Sequence, residues 1–196
     1  MHVKTLSNFA DMPAPRTGTS PSGPKEQLAP GTRRLQVRRS GIHGRGVYAV
    51  VNLKAGERLM EYTGEIISWE EALDRHPHDP ANPQHTFYFH IDGGQVIDAK
   101  FGGNSSRWIN HSCAPNCVAR QVGSRVFIDA LRDIPAGEEL FYDYGLTIDE
   151  RLTPALKAEY PCWCGAADCT GTLLKPKRRA VRKARRGTPN DTAMAS

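Results

Sequence analysis

Arg107-Trp108-Ile109-Asn110-His111-Ser112-Cys113-Ala114-Pro115-Asn116-Cys117 is the stretch on which the fold of this chain turns. Polar and thiol side chains crowd around a few apolar ones, and taken alone the run could be a hydrogen-bonded polar loop inside a core. Its meaning comes from its neighbours. Downstream lies Glu139-Leu140-Phe141-Tyr142-Asp143-Tyr144, and upstream lies Ser40-Gly41-Ile42-His43-Gly44-Arg45-Gly46.

Between and around these runs the pattern is of short β-prone segments broken by turn residues, at 35–39, 46–51, 58–67, 86–92, 95–99, 117–122 and 125–131. Tight hairpins are expected at Gly93-Gly94 and at Gly123-Ser124, where positive φ costs glycine little. Ser68 with Glu71 forms a capping-box pattern ahead of Ala72 and Leu73, so a short helix should begin there. The three prolines of 77–83 forbid its continuation and mark a surface loop, and its histidines are read as loop residues rather than metal ligands. A second helix is expected over 150–159. Leu53-Lys54-Ala55-Gly56-Glu57-Arg58-Leu59 echoes Ile134-Pro135-Ala136-Gly137-Glu138-Glu139-Leu140, which reads as recurring turn chemistry rather than a repeat. Periodicity alone gives a mostly β, β-rich α+β domain with few short helices.

The 196 residues suffice for one compact domain with ragged ends. Residues 1–33 are rich in Pro, Gly, Ser and Thr without apolar periodicity, and are expected to be disordered. The net charge of +5 is concentrated in 175–186, which carries eight basic residues and no acid, so the rest of the chain stands at −3. A mildly acidic body suits a basic peptide, and the tail of 175–196 suits salt-sensitive, sequence-independent contact with nucleic acid through 175–186. No leader and no membrane-spanning stretch is apparent, and five unevenly spaced cysteines fit metal in a reducing compartment better than a disulfide framework. Cys162, Cys164 and Cys169 supply three thiolates, one short of a closed tetrahedral zinc site. Spacing does not say whether Cys113 or Cys117 completes it.

The three motifs, in this order, closely resemble the SET family of protein lysine methyltransferases. The resemblance runs from about Leu35 to Leu174 and takes in Tyr62-Thr63-Gly64-Glu65, Ile97-Asp98-Ala99 and the cysteine-rich end that the family calls post-SET. It implies small curved antiparallel sheets with a C-terminal segment threaded as a pseudoknot. It also implies a SET domain over 34–148 and a post-SET zinc segment over 149–174, with no cysteine-rich pre-SET region. The cofactor implied is S-adenosylmethionine, and the family's pattern selects Cys113 as the fourth zinc ligand, with Cys117 spare.

Methyl transfer to an amine needs the amine neutral and in line with the sulfonium methyl, whereas lysine at neutral pH is protonated. A dry aromatic channel beside a sulfonium lowers the amine's pKa. The resemblance makes Tyr144 the catalytic tyrosine, puts Tyr62 on the channel wall, and makes the Tyr142 hydroxyl a restriction that favours mono- or dimethylation. For the cofactor it implies His43, Gly44 and Arg45 beside the amino-acid end, with Gly44 and Gly46 letting backbone approach, and Asn110 and His111 on the amino-acid and adenine parts. Phe87 stands where relatives carry a cofactor-contacting tyrosine. Trp163 is expected over the adenine, and Arg107 is expected to brace the loop. The substrate expected is a basic protein, whether histone, histone-like or ribosomal, met by a monomer. Its location would be the nucleoid and cytoplasm if bacterial, or the nucleus if eukaryotic or host-directed. Two rivals remain, a non-catalytic SET-fold binding module and a nucleic-acid-associated architectural protein recruited by its tail.

Overall fold

A computed structural model describes residues 3–5, 33–75, 87–148 and 150–175. The strands are β1 (Val3–Thr5), β2 (Leu35–Arg39), β3 (Arg45–Ala49), β4 (Arg58–Tyr62), β5 (Glu65–Ser68), β6 (Tyr88–Ile91), β7 (Gln95–Asp98), β8 (Asn110–His111), β9 (Cys117–Val122), β10 (Arg125–Ala130), β11 (Phe141–Tyr142) and β12 (Leu146–Ile148). They form small sheets in the orders β2-β3, β4-β10-β9, β5-β7-β6, β11-β8 and β1-β12. Among the described residues all the strand pairs are antiparallel except β8 with β11, where Asn110 faces Phe141 and His111 faces Tyr142. That one parallel pair carries the C-terminal motif to the Asn110-His111 loop. This is the β-rich fold of small antiparallel sheets expected from the sequence.

Both hairpins turn where glycine was expected to allow it, with Ile91 opposite Gln95 and Val122 opposite Arg125. The single run expected over 58–67 is two strands. It breaks at Thr63-Gly64, where a Cβ on Gly64 would stand 2.5 Å from the carbonyl oxygen of Asp98, so the chain passes too close to β7 for a side chain. Helix α1 (Trp69–Arg75) starts where expected, with Oγ of Ser68 accepting from the main chain of Glu71 at 3.1 Å. Helix α2 (Pro154–Glu159) starts later than the expected residue 150, because Thr153 caps Leu156 at 3.2 Å and Pro154 is suited to the first turn. Within the 1–33 segment expected to be disordered, Val3–Thr5 pair with β12, and residues 1–2 and 6–32 lie outside the described residues. The proline-rich loop at 77–83 and the tail beyond Lys175 lie outside the described residues.

The sequence echo is more than turn chemistry. Leu53 and Ile134 exchange main-chain hydrogen bonds at 2.8 and 2.9 Å, and the bonds around them recur in pairs. Gly56 donates to Ala130 as Gly137 donates to Ala49, both at 2.8 Å, and the Glu57–Ala130 bond matches the Glu138–Ala49 bond, both at 2.9 Å. Side chains follow the same relation: Asp133 caps the N–H of Ala55 at 2.9 Å and Asn52 that of Ala136 at 3.0 Å. The two segments thus lie antiparallel with matched hydrogen bonds, so the recurring turns expected from the sequence are also joined to each other.

The main core gathers Val47, Leu53, Tyr62, Phe89, Ile97, Ile109, Ile128, Ile134, Leu140 and Tyr142 among its members. A second, smaller core joins Ile148, Leu156, Tyr160, Cys162, Leu173 and Leu174, with Leu146 and Cys113 packed against it. Strand β12 therefore packs with the C-terminal segment, so the expected division between 148 and 149 falls inside this second core.

Candidate active site

Tyr62, Tyr142 and Tyr144, the tyrosines singled out from the sequence, lie in one run with Phe89 and His111. Ring centroids are 5.3 Å apart for Tyr62 and Phe89, 6.3 Å for Phe89 and Tyr142, 4.9 Å for Tyr142 and Tyr144, and 5.3 Å for Tyr144 and His111. Tyr62 and Tyr142 are buried. The Tyr62 hydroxyl donates to the carbonyl of Phe87 at 3.1 Å, and the Tyr144 hydroxyl donates to that of Ile109 at 2.9 Å, so the latter phenol faces the Asn110-His111 loop. Burial raises all three phenols above the usual tyrosine range, and each stays neutral at physiological pH. Phe89 also belongs to this run and was not among the residues expected there, since the sequence singles out only Phe87 in that stretch, and for the cofactor. Phe87 itself packs edge-on against Trp108 at 5.1 Å, and its only signal of difference from Phe89 is two residues of spacing in a strand.

The loop at 40–46 is built around Glu139. A Cβ on Gly46 would stand 2.5 Å from Cδ of Glu139, so this glycine makes room for that carboxylate. Oε1 of Glu139 accepts from Nδ2 of Asn110 at 2.9 Å, and Oε2 accepts from the hydroxyls of Tyr48 at 2.7 Å and Ser40 at 3.1 Å. The same Asn110 nitrogen reaches the carbonyls of Arg45 at 2.9 Å and His43 at 3.3 Å, so Asn110 fastens the loop's backbone. His43, Gly44 and Arg45 are exposed, and Gly44 has open space on its Cβ side. The Arg45 guanidinium lies 5.2 Å from the Trp108 ring. Arg107 braces the chain through the carbonyl of Ala99 at 2.9 Å, as expected, while its Nε is buried without a hydrogen-bond partner.

His111 links this region to the cysteines. Its Nδ1 accepts the Tyr144 N–H at 3.1 Å, which places the proton of the neutral ring on Nε2, 3.6 Å from Sγ of Cys113. Burial, followed by the charge of Lys175, lowers its pKa to about 4. Lys175 is ion-paired with Asp143, between the two tyrosines.

Cys113, Cys162, Cys164 and Cys169 bring their sulfurs within 4.8 Å of one another. Sγ of Cys113 is 3.9 Å from both Cys162 and Cys169, close to the roughly 3.8 Å edge of a tetrahedron with zinc–sulfur bonds of about 2.3 Å. Burial disfavours the Cys164 thiolate, but hydrogen bonds led by the main chain of Cys113 and Ala166 outweigh it and bring the thiol down to about 6. The donor set and spacing suit zinc. Cys117 stands apart, buried in the main core with its thiol pushed up to about 12. Trp163, between two of the clustered thiols, is 72% exposed, and packs into neither core.

Comparison with protein-family models matches residues 44–145 to the family described as "SET domain". Among curated proteins, 135 residues are 38% identical to the Histone-lysine N-methyltransferase trithorax of Drosophila virilis, covering 67% of this chain and 3% of that one. A stretch of 156 residues is 38% identical to the Histone-lysine N-methyltransferase TRX1 of rice, covering 76% and 14%. The same length and identity hold for the "Histone-lysine N-methyltransferase, H3 lysine-4 specific" of Emericella nidulans, covering 75% and 12%. The chain thus spans a small fraction of the length of these relatives. Over more than half its length, through the loop at 44–46, the Asn110-His111 strand and the Tyr142–Tyr144 motif, this chain belongs to the SET-domain family.

Proposed function

We propose that the protein transfers a methyl group from S-adenosylmethionine to the ε-amine of a lysine in a basic protein, with a histone or histone-like protein as the favoured substrate. The observation that carries this reading is the unbroken aromatic run from Tyr62 to Tyr144, ending on the strand pair that holds Asn110 and His111. Membership of the family and the names of the relatives support the same class of reaction.

Two unmatched charges support the cofactor's fit. Among the described residues Arg45 has no carboxylate in ion-pair contact and Glu139 no cation, which suits a ligand carrying both a carboxylate and positive charge. In this reading His43, Gly44, Arg45 and Asn110 hold the amino-acid end, His111 and the exposed Trp163 cover the adenine, and Phe87 lines the approach. The cofactor supplies an electrophilic methyl on a sulfonium. Tyr62, Tyr142 and Phe89 strip water from the incoming lysine, which gives its proton to solvent and arrives neutral. The Tyr144 hydroxyl, fixed toward Ile109, orients the meeting of nitrogen and carbon. With the donor bound, the amine's lone pair would be held in line with that methyl, whose bond to sulfur would be exchanged for one to nitrogen. The Tyr142 hydroxyl takes space beside the product and favours mono- or dimethylation. Cys113, Cys162, Cys164 and Cys169 would hold zinc, which would tie the post-SET segment of 149–174 to the SET domain of 34–148.

The protein acts as a monomer in this reading, and the basic run 175–186 makes non-specific contact with nucleic acid; nuclear placement fits a histone substrate, and the nucleoid fits a bacterial one. The test is transfer of radiolabelled methyl from S-adenosylmethionine into fractionated extract and purified histones, wild type against Tyr144→Phe. Label in a basic protein that depends on Tyr144 is the expected result. Cofactor binding without any transfer would favour the non-catalytic binding module instead.

A further inference from the structure

Three acidic side chains are buried among the described residues: Asp98, Asp129 and Glu139. Asp98 has Arg75 at 3.6 Å, and Asp129 has Arg58 at 3.1 Å and Arg120 at 3.3 Å. Glu139, 8% exposed, has no lysine, arginine or histidine nitrogen in ion-pair contact among the described residues, and its bonds come from the amide of Asn110 and the hydroxyls of Tyr48 and Ser40. Neutral donors orient a carboxylate without cancelling its charge, and a buried charge left uncancelled is costly. Such a cost is retained where a charge is wanted.

The place of this charge says what it is for. It abuts the backbone of the 40–46 loop at Gly46, and through Asn110 it is joined to the carbonyls of His43 and Arg45. Its field reaches Tyr144: burial raises that phenol, and the charge of Glu139 raises it further. We infer that Glu139 is a charge-matching and positioning residue for the methyl donor, making the site prefer a sulfonium cation over the neutral thioether left after transfer. The inference rests on the methyl-transfer reading above. The donor enters with one positive charge more than the spent cofactor. A fixed negative charge with no counter-ion among the described residues therefore favours the loaded form and releases its hold once the methyl has gone, which promotes exchange.

Calorimetric titration of the full chain tests this, using S-adenosylmethionine, the thioether S-adenosylhomocysteine, and an analogue with an amine in place of the sulfonium. Wild type should bind both cations at least about tenfold more tightly than the thioether, and Glu139→Gln should weaken the cations by about tenfold while moving the thioether less than about threefold. Tyr48→Phe keeps the charge and removes a brace, so it should weaken all three ligands together. Equal losses for the three ligands in Glu139→Gln, or no loss, would overturn the inference and leave Glu139 a brace only. Should Glu139→Gln not fold, the wild-type comparison decides, since a thioether bound as tightly as the cations overturns it equally. Failure of wild type to bind any of the three would instead sink the methyl-transfer reading, and this inference with it.

Discussion

The main-chain N–H of Tyr144 donates to Nδ1 of His111 across 3.1 Å, bridging 33 residues of sequence with one bond. Because that bond leaves the ring proton on Nε2, facing Cys113, the thiol cluster, the imidazole and the tyrosine stand in series. Disturbing the cluster should therefore be felt at the tyrosine.

Zinc is expected in stoichiometric amount by atomic emission. Cys113→Ser should lose it, with less protection of the 160–174 segment from hydrogen exchange, while Cys117→Ser should keep it, because Cys117 lies in the main core. Retention of full metal by Cys113→Ser would show that the four sulfurs do not act together.

Tyr144→Phe should reduce methyl transfer by about 10²-fold or more, since it removes the group that orients the reacting atoms. Only one hydrogen bond to Ile109 is lost, so the stability cost should be about 1 kcal/mol, a shift of a few degrees in a thermal melt. A variant that unfolds, or one that transfers methyl normally, would contradict the placement.

The rate should climb with pH as more of the substrate lysine is neutral, without a fall from phenol ionisation up to about pH 10. Burial raises the folded pKa values of Tyr62, Tyr142 and Tyr144. Unfolded tyrosines release protons near pH 10 and these do not, so their contribution to stability is complete below about pH 10 and is lost as the pH rises toward the folded values. A decline in rate between neutrality and pH 9, with circular dichroism unchanged, would contradict phenols held neutral.

Tyr142→Phe should shift the product distribution toward trimethyllysine, because the hydroxyl that crowds the methylammonium is gone while the ring contacts to Phe89 and Tyr144 persist. Mass spectrometry of the modified peptide reads this directly. Efficient trimethylation by wild type would dispose of the crowding argument.

Features encoded in a few adjacent residues were legible in the sequence: the hairpins at Gly93-Gly94 and Gly123-Ser124, the cap at Ser68, and the motifs carrying Asn110, His111 and Tyr144. Features that depend on distant partners were not. Glu139 looks like one acid among several in its motif until Ser40, Tyr48 and Asn110 converge on it. Cys113 and Cys117 are indistinguishable by spacing, yet Cys117 opens β9 and points into the main core while Cys113 packs on the second. The late start of α2 was readable in principle, since Thr153-Pro154 is an N-terminal signal that outweighs the acids before it.

The side-by-side parallel course of β8 and β11 has a consequence for how the protein is made. Asn110 and His111 leave the ribosome well before Phe141 and Tyr142, which face them, and no nascent chain ending short of Tyr142 can form this pair. Closure must wait for a late, long-range pairing, of the kind that slows folding. Fragments cut upstream of that point would lack the bond that sets Tyr144 against His111.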